Sequence, residues 1–118
     1  PVHVLHIHAT DDGIVPFVGA TQPGPVGIFF ADTPGVAENL RNWADYNKCN
    51  KEDNPKVKSI DLDNIIPGND TTIIRFMNEK NNCTVELWKI HGSQHSIPFT
   101  VDGQRMVVDW LLDHPKVD

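Results

Sequence analysis

The hydrophobic pattern of the chain predicts three strands. Residues 2–8 form an apolar run rich in Val, Leu and Ile that ends in polar residues and Gly13, a pattern typical of a strand covered on both faces. Residues 71–77 and 84–90 are rich in β-branched and aromatic residues, and the polar segment 78–82 lies between them. We therefore predict a hairpin of two strands joined by a turn.

Helical spacing appears in two segments. Apolar residues recur three and four positions apart from Val36 to Ala44, and Thr33 and Pro34 suit the cap and the first position of a helix. A second helix is predicted over residues 102–114, with Pro115 at its end. We expect residues 50–70 to be a polar loop and residues 13–33 to be a loop that packs through its apolar residues. These apolar residues are Val26, Ile28, Phe29 and Phe30.

The resulting order β-α-β-β-α predicts an α/β fold with parallel strands and a hairpin at one edge. Three strands make a small sheet, and a bare edge beside residues 2–8 would be an aggregation hazard. We therefore expect residues 1–118 to be the C-terminal part of a single larger domain. Its N-terminal part would supply the remaining strands.

Charge and composition exclude some functions. Sixteen acidic residues against ten basic ones give a net charge of −6, which argues against binding to nucleic acid because phosphate neutralisation needs clustered Lys and Arg. No apolar run is long enough to cross a bilayer. The two cysteines, Cys49 and Cys83, lack C-x-x-C spacing, and this leaves open whether they are buried thiols or a disulfide.

Candidate catalytic residues follow two of the predicted strands. Asp11 and Asp12 come after the first strand, and His95 lies in a Gly- and Ser-containing turn after the last strand. Catalytic groups of open parallel sheets lie just beyond the carboxyl ends of strands, and a histidine base needs a carboxylate to orient it. These residues predict the acid and the base of a hydrolytic triad. No serine lies in a G-x-S-x-G elbow, so we expect the nucleophile in a segment or chain outside this sequence.

The histidines allow an alternative interpretation. His6 and His8 lie on one face of the first strand with Asp12 close behind, and His91 and His95 could complete a metal site. A metal-dependent hydrolase is therefore a less favoured hypothesis. A second alternative is a non-catalytic binding or accessory domain of the same fold. The triad hypothesis itself requires neither a metal nor an organic cofactor.

Five segments, in this order, resemble motifs of secreted α/β-hydrolase esterases of the polyhydroxybutyrate-depolymerase-like and feruloyl-esterase-like family. Residues 8–17 resemble H-G-T-x-D-x-x-V-P-Y, residues 36–49 resemble S-V-A-x-T-x-x-W-A-x-x-N-G-C, and residues 83–90 resemble C-x-x-x-V-x-L-Y-x-I. Residues 92–98 resemble G-G-G-H-x-W-P, and residues 108–115 resemble the closing helix. The departures include Ala9, Lys48 and Ile97, which replace two glycines and an aromatic residue.

The resemblance implies a serine esterase that hydrolyses a small-molecule or polymeric carboxylic ester. It makes Asp12, and not Asp11, the triad acid and His95 the triad base. It implies that Phe17 and Ile97 contribute to substrate binding, and that Cys49 and Cys83 form a disulfide in a secreted or periplasmic protein. Because the nucleophile is expected elsewhere, we expect this chain alone to be inactive.

Overall fold

The computed structural model describes residues 1–21 and 32–116. The four apolar residues of the expected packed loop (Val26, Ile28, Phe29 and Phe30) lie outside the described residues. Five strands and two helices form in the order β1 (Val4–Ala9), α1 (Val36–Tyr46), β2 (Lys51–Asp53), β3 (Ser59–Ile60), β4 (Thr71–Asn78), β5 (Cys83–Ile90) and α2 (Val101–Asp113).

The strands form one mixed sheet in the order β1-β5-β4-β2, and β3 also pairs with β4. Only β1 and β5 are parallel, with His6 opposite Leu87. The predicted hairpin is present as β4 and β5, with Asn78 opposite Cys83 beside its turn. Strands β2 and β3 are antiparallel to β4. The hairpin therefore lies at the centre of the sheet and not at its edge.

The predicted fold class is wrong. The chain is a small, strand-rich mixed sheet with two helices, and it is not a portion of a parallel α/β-hydrolase fold with alternating β-α-β units. The prediction treated residues 50–70 as a loop, but this segment contributes β2 and β3. The two strands have three and two residues, which is too short for the hydrophobic alternation by which a strand is recognised. Their antiparallel pairing with β4 makes the sheet mixed.

Each face of the sheet carries one helix, because side chains alternate along the strands. On one face, Trp88 and Ile90 of β5 pack with Trp110 of α2. On the other face, Val85 and Leu87 pack with α1. The same alternation directs His6 and His8 of β1 towards the α1 side, where they meet Asn39.

Both helices are found near their predicted positions, with differences at their ends. Helix α1 begins at Val36 with Gly35 as N-cap, and the predicted cap Thr33 instead forms a β-bridge with Ala20. Helix α2 is capped by Thr100, whose Oγ1 accepts a hydrogen bond from the N–H of Gly103 at 2.8 Å. In the described ranges, neither helix is long and apolar enough to span a membrane.

The disulfide implied by the resemblance is absent. Cys49 and Cys83 are both free thiols; Cys83 is buried and Cys49 is partly buried. Burial, with a smaller contribution from Cys83, raises the pKa of Cys49. Burial also raises the pKa of Cys83. The structure therefore has the two thiols that the spacing of the cysteines had left as an alternative.

Candidate catalytic site

Asp12 is held rigidly in the turn that follows β1. Its Oδ1 accepts hydrogen bonds from the backbone N–H groups of Ile14 and Val15, each at 2.8 Å. This is an Asx turn, in which a carboxylate satisfies the backbone two and three residues ahead. The Asp12 side chain is only 6% exposed. Both Oδ1 bonds leave Oδ2 available for a partner from another part of the chain.

That partner is His95. The loop after β5 begins with Gly92 and Ser93, whose φ angles of 93° and 61° turn the chain sharply. The N–H of Gly92 donates to Oγ1 of Thr10 at 2.8 Å, which ties this loop to the end of β1. His95 Nδ1 then lies 2.9 Å from Asp12 Oδ2, although the two residues are 83 positions apart.

The structure distinguishes between the two acidic residues after β1. Asp11 is exposed, and its Oδ1 accepts a hydrogen bond from the hydroxyl of the adjacent Thr10 at 3.3 Å. Asp12 alone contacts His95. The structure thus brings an acidic residue after the first strand into contact with the histidine after the last strand, and that residue is Asp12.

The electrostatics of the pair determine the proton positions. Burial by itself raises the pKa of Asp12, but hydrogen bonds from Val15, His95 and Ile14 outweigh it and lower that pKa. Asp12 is therefore ionised at neutral pH and can only accept a hydrogen bond. His95 Nδ1 must therefore carry a proton, and in the neutral form of the ring the lone pair is on Nε2. This is the tautomer that a histidine base needs.

A chain of hydrogen bonds supports the Asp12 turn from behind. His8 Nε2 donates to the carbonyl oxygen of Val15 at 2.8 Å and lies 3.5 Å from Asp12 Oδ2. His8 Nδ1 is therefore the acceptor for His6 Nε2 at 3.2 Å, and His6 Nδ1 accepts from Asn39 Nδ2 at 3.3 Å. Burial, with a smaller contribution from His8, lowers the pKa of His6. Both rings thus serve as hydrogen-bonding groups behind the Asp12 turn.

A cavity of about 340 Å³ adjoins the Asp12–His95 pair. Its lining includes Asp12, His95, Ile97 and Asn39. The predicted substrate-binding residue Ile97 is thus beside the pair. Phe17 is not in this lining; its ring makes an edge contact with His8, with centroids 5.6 Å apart. Phe17 therefore contacts His8, a residue that lines the cavity.

Sequence reasoning missed a second Asx turn beside the first. Asp63 is 2% exposed, and its Oδ1 accepts from the N–H groups of Ile65 and Ile66 at 2.7 and 3.2 Å. Its Oδ2 accepts a short hydrogen bond from the hydroxyl of Ser93. The sequence did contain a signal, because Asp-Asn-Ile-Ile-Pro at residues 63–67 repeats the pattern of Asp-Gly-Ile-Val-Pro at residues 12–16.

The histidines do not form the arrangement expected for a metal centre. Within residues 1–21 and 32–116, no group of three His, Cys, Asp or Glu side chains is placed to hold a metal ion. His6 and His8 are hydrogen-bonded to each other. His91 Nε2 lies 2.7 Å from Oγ1 of Thr72 on β4.

No protein-family model, curated protein or solved structure matches the chain. The site combines an ionised carboxylate, a histidine of defined tautomer and an adjoining cavity. A carboxylate that orients a histidine is also found in the triads of nucleophilic hydrolases. Function is therefore inferred from this geometry and from the order of the motifs.

Proposed function

We propose that this chain supplies the acid and the base of a carboxylic-ester hydrolase that uses a Ser-His-Asp triad. Asp12 is the acid and His95 is the base. The observation that carries the proposal is the 2.9 Å contact between His95 Nδ1 and Asp12 Oδ2. Asp12 is oriented for this contact by two backbone N–H groups, which is how a triad acid is kept in place while the ring changes protonation state.

In the proposed reaction, Nε2 of His95 removes the proton from a serine hydroxyl as that serine attacks the ester carbonyl carbon. The imidazolium formed is stabilised by Asp12 and then protonates the leaving alkoxide. In the second half of the reaction, His95 Nε2 removes a proton from a water molecule as that water attacks the acyl-enzyme, and the imidazolium then protonates the departing serine oxygen, which releases the acid and restores the enzyme. No metal or organic cofactor takes part in this scheme.

The serine is proposed to come from a segment or chain outside the 118 residues. Two serines lie close to His95 in the sequence. The Ser93 hydroxyl donates to Asp63, and Ser96 is exposed in the His95 loop. Ser59 Oγ accepts from Asn69 Nδ2 at 3.4 Å, on β3. The cavity of about 340 Å³ beside His95 is large enough for an incoming side chain and part of a small-molecule or polymeric ester.

Two backbone conformations support the resemblance to secreted esterases. Lys48 and Ser93 occupy positions at which the family motifs have glycine, and their φ angles are 52° and 61°. Glycine is favoured there because left-handed backbone is strained for other residues. A secreted or periplasmic location is part of the proposal and rests on this resemblance.

The test combines covalent labelling with mutation. A fluorophosphonate probe should label one serine on a polypeptide that contains this chain or co-purifies with it, and intact-mass spectrometry identifies the labelled species. In that complete enzyme, His95→Ala should reduce kcat for a nitrophenyl ester by about 10³- to 10⁶-fold, whereas the matched variant His91→Ala should retain activity. Near-normal turnover by His95→Ala would refute the proposal.

A non-catalytic binding domain is the second candidate. It is favoured by one observation, that none of the serines in the described ranges is hydrogen-bonded to His95. The labelling experiment separates the two functions. Absence of any labelled serine, in a preparation that contains every polypeptide associated with this chain, would favour the binding domain.

A further inference from the structure

We propose that Asp63 and Ser93 are positioning residues that hold the His95 ring against Asp12. The importance of this for catalysis rests on the proposed function, but the structural claim can be tested on the chain alone. Neither residue touches the reacting atoms. Both act through the backbone of the loop that carries His95.

Asp63 ties the two arms of the His95 loop together. Its carboxylate binds the Ser93 hydroxyl at the start of the loop, and its backbone forms a β-bridge with Phe99 at the end. The adjacent Asn64 N–H donates to the carbonyl oxygen of Pro98 at 2.8 Å. Both arms are therefore fixed to one short segment, and the position of His95 between them depends on that segment.

Few other contacts hold the middle of the loop. Gln94, His95 and Ser96 are all exposed, and the His95 side chain is 46% exposed. Ser93 is the last residue before His95 with a hydrogen bond to the body of the protein. It also has the positive φ of 61° that aims the following residues. Loss of its hydroxyl bond should therefore release the His95 ring.

Asp63 is itself immobile enough to act as an anchor. It is 2% exposed, and its own N–H donates to Oδ2 of the buried Asp70 at 3.0 Å. Burial raises its pKa, but hydrogen bonds from Ser93, Ile65 and Ile66 outweigh burial and lower it. The carboxylate is thus ionised and can only accept, so the Ser93 hydroxyl is oriented as the donor in a charge-assisted bond.

Ser93→Gly is the sharpest variant. Glycine adopts a φ of 61° without strain, so the substitution removes the hydroxyl and keeps the backbone conformation accessible. Ser96→Ala is the matched control, because it removes an exposed hydroxyl from the same loop. Nitrogen-15 NMR of the histidine side chains in the 118-residue chain then reports which ring nitrogen of His95 carries the proton.

In the unaltered chain and in Ser96→Ala, the Nδ1–H tautomer of His95 should dominate. In Ser93→Gly it should become a minor form, and the pKa of Asp12 should move upwards because one of the bonds that lower it is weakened. A merely structural effect on stability would leave both signals unchanged in the molecules that remain folded. Asp63→Asn should change the His95 tautomer in the same way as Ser93→Gly. If Asp63→Asn does not fold, the tautomer in Ser93→Gly is the test of the proposal.

Retention of the Nδ1–H tautomer in Ser93→Gly would overturn the inference. This result is distinguishable from failure of the proposed function. If the tautomer changes as expected but no associated serine is ever labelled, Asp63 and Ser93 position a histidine that has no hydrolytic role. If a serine is labelled but the tautomer is insensitive to Ser93, the esterase stands and the positioning claim falls.

Discussion

In the Asp12 turn and in the Asp63 turn, one carboxylate oxygen accepts two backbone N–H groups and the other binds a side chain of the loop after β5. The two turns share an Asp-x-Ile-aliphatic-Pro sequence. Their carboxylates have the same kinds of backbone partners, and the pKa of each is lowered by its hydrogen bonds in spite of burial. The backbone hydrogen bonds to the carboxylate therefore do not distinguish the two turns.

The difference lies in the partner side chain. Asp63 binds the hydroxyl of Ser93, which does not titrate near neutral pH, and this contact can only fix a position. Asp12 binds the ring of His95, which is 46% exposed and whose second ring nitrogen can donate or accept a proton. The same Asx turn thus binds a hydroxyl in one place and a histidine ring in the other, and under the proposed function only the histidine takes part in the reaction.

The largest expected difference between the turns is in activity. In the complete enzyme that we propose, Asp12→Asn should lower kcat by about 10⁴-fold, because the amide favours the wrong tautomer of His95. Asp63→Asn should lower kcat by about 10²-fold, the usual cost of misplacing a catalytic group by about 1 Å. Steady-state kinetics on a nitrophenyl ester measure both. An equal loss of kcat in the two variants would contradict the proposal that Asp12 takes part in catalysis and Asp63 only positions the loop.

A smaller difference is expected in acid. A carboxylate whose pKa is lower in the folded than in the unfolded chain stabilises the fold above the ordinary value of about 3.9 and loses this contribution as the pH falls through the folded value. Asp63→Asn should therefore lower the free energy of unfolding at pH 7 by about 1–3 kcal/mol and make its decline in acid shallower. Urea unfolding at a series of pH values tests this.

Parallel stability curves for the unaltered chain and Asp63→Asn would contradict an ionised Asp63 in the folded protein. Asp12→Asn provides the comparison. Its effect on the same curves should be smaller, because Asp12 is only partly buried and its hydrogen bond from Ile14 is exposed, whereas Asp63 is 2% exposed.

The smallest effect concerns two glycines, Gly13 in the Asp12 turn and Gly92 in the loop after β5. A Cβ added at Gly13 would meet no atom within 4 Å, and its φ is not in the left-handed region. Gly13→Ala should therefore raise the free energy of unfolding by about 0.5 kcal/mol by restricting the unfolded chain. Gly92→Ala should have the opposite sign, since its φ is 93° and the new Cβ would lie 3.1 Å from Ile66. Thermal unfolding of both variants distinguishes the signs.

The residues with strong periodicity were predictable from the sequence. The first strand, the hairpin and both helices lie within a few residues of their predicted ends, because each carries an apolar face that only one type of element can bury. The pairing of Asp12 with His95 was predictable for a related reason. Both follow strands that end at the same edge of the sheet.

The remaining errors arise from interactions that have no local pattern. β2 and β3 have only three and two residues, too few to show a periodic pattern, and each forms by pairing with the edge of β4. In α2, Val108, Leu111 and Leu112 are 53–74% exposed, although the apolar face of a helix usually packs against the core. The anchoring role of Ser93 depended on a carboxylate 30 residues away. Only the repeated Asp-x-Ile-aliphatic-Pro sequence hinted at that carboxylate.

The parallel pairing of β1 with β5 also has a consequence for how the molecule forms. The hairpin of β4 and β5 closes a short turn and can form early, whereas β1 must find β5 across about eighty residues of chain, a slow search. The contact between Asp12 and His95 spans 83 residues and requires that late step. A partly folded chain would therefore contain the hairpin without the site, and the appearance of the His95 ring contact would time the completion of folding.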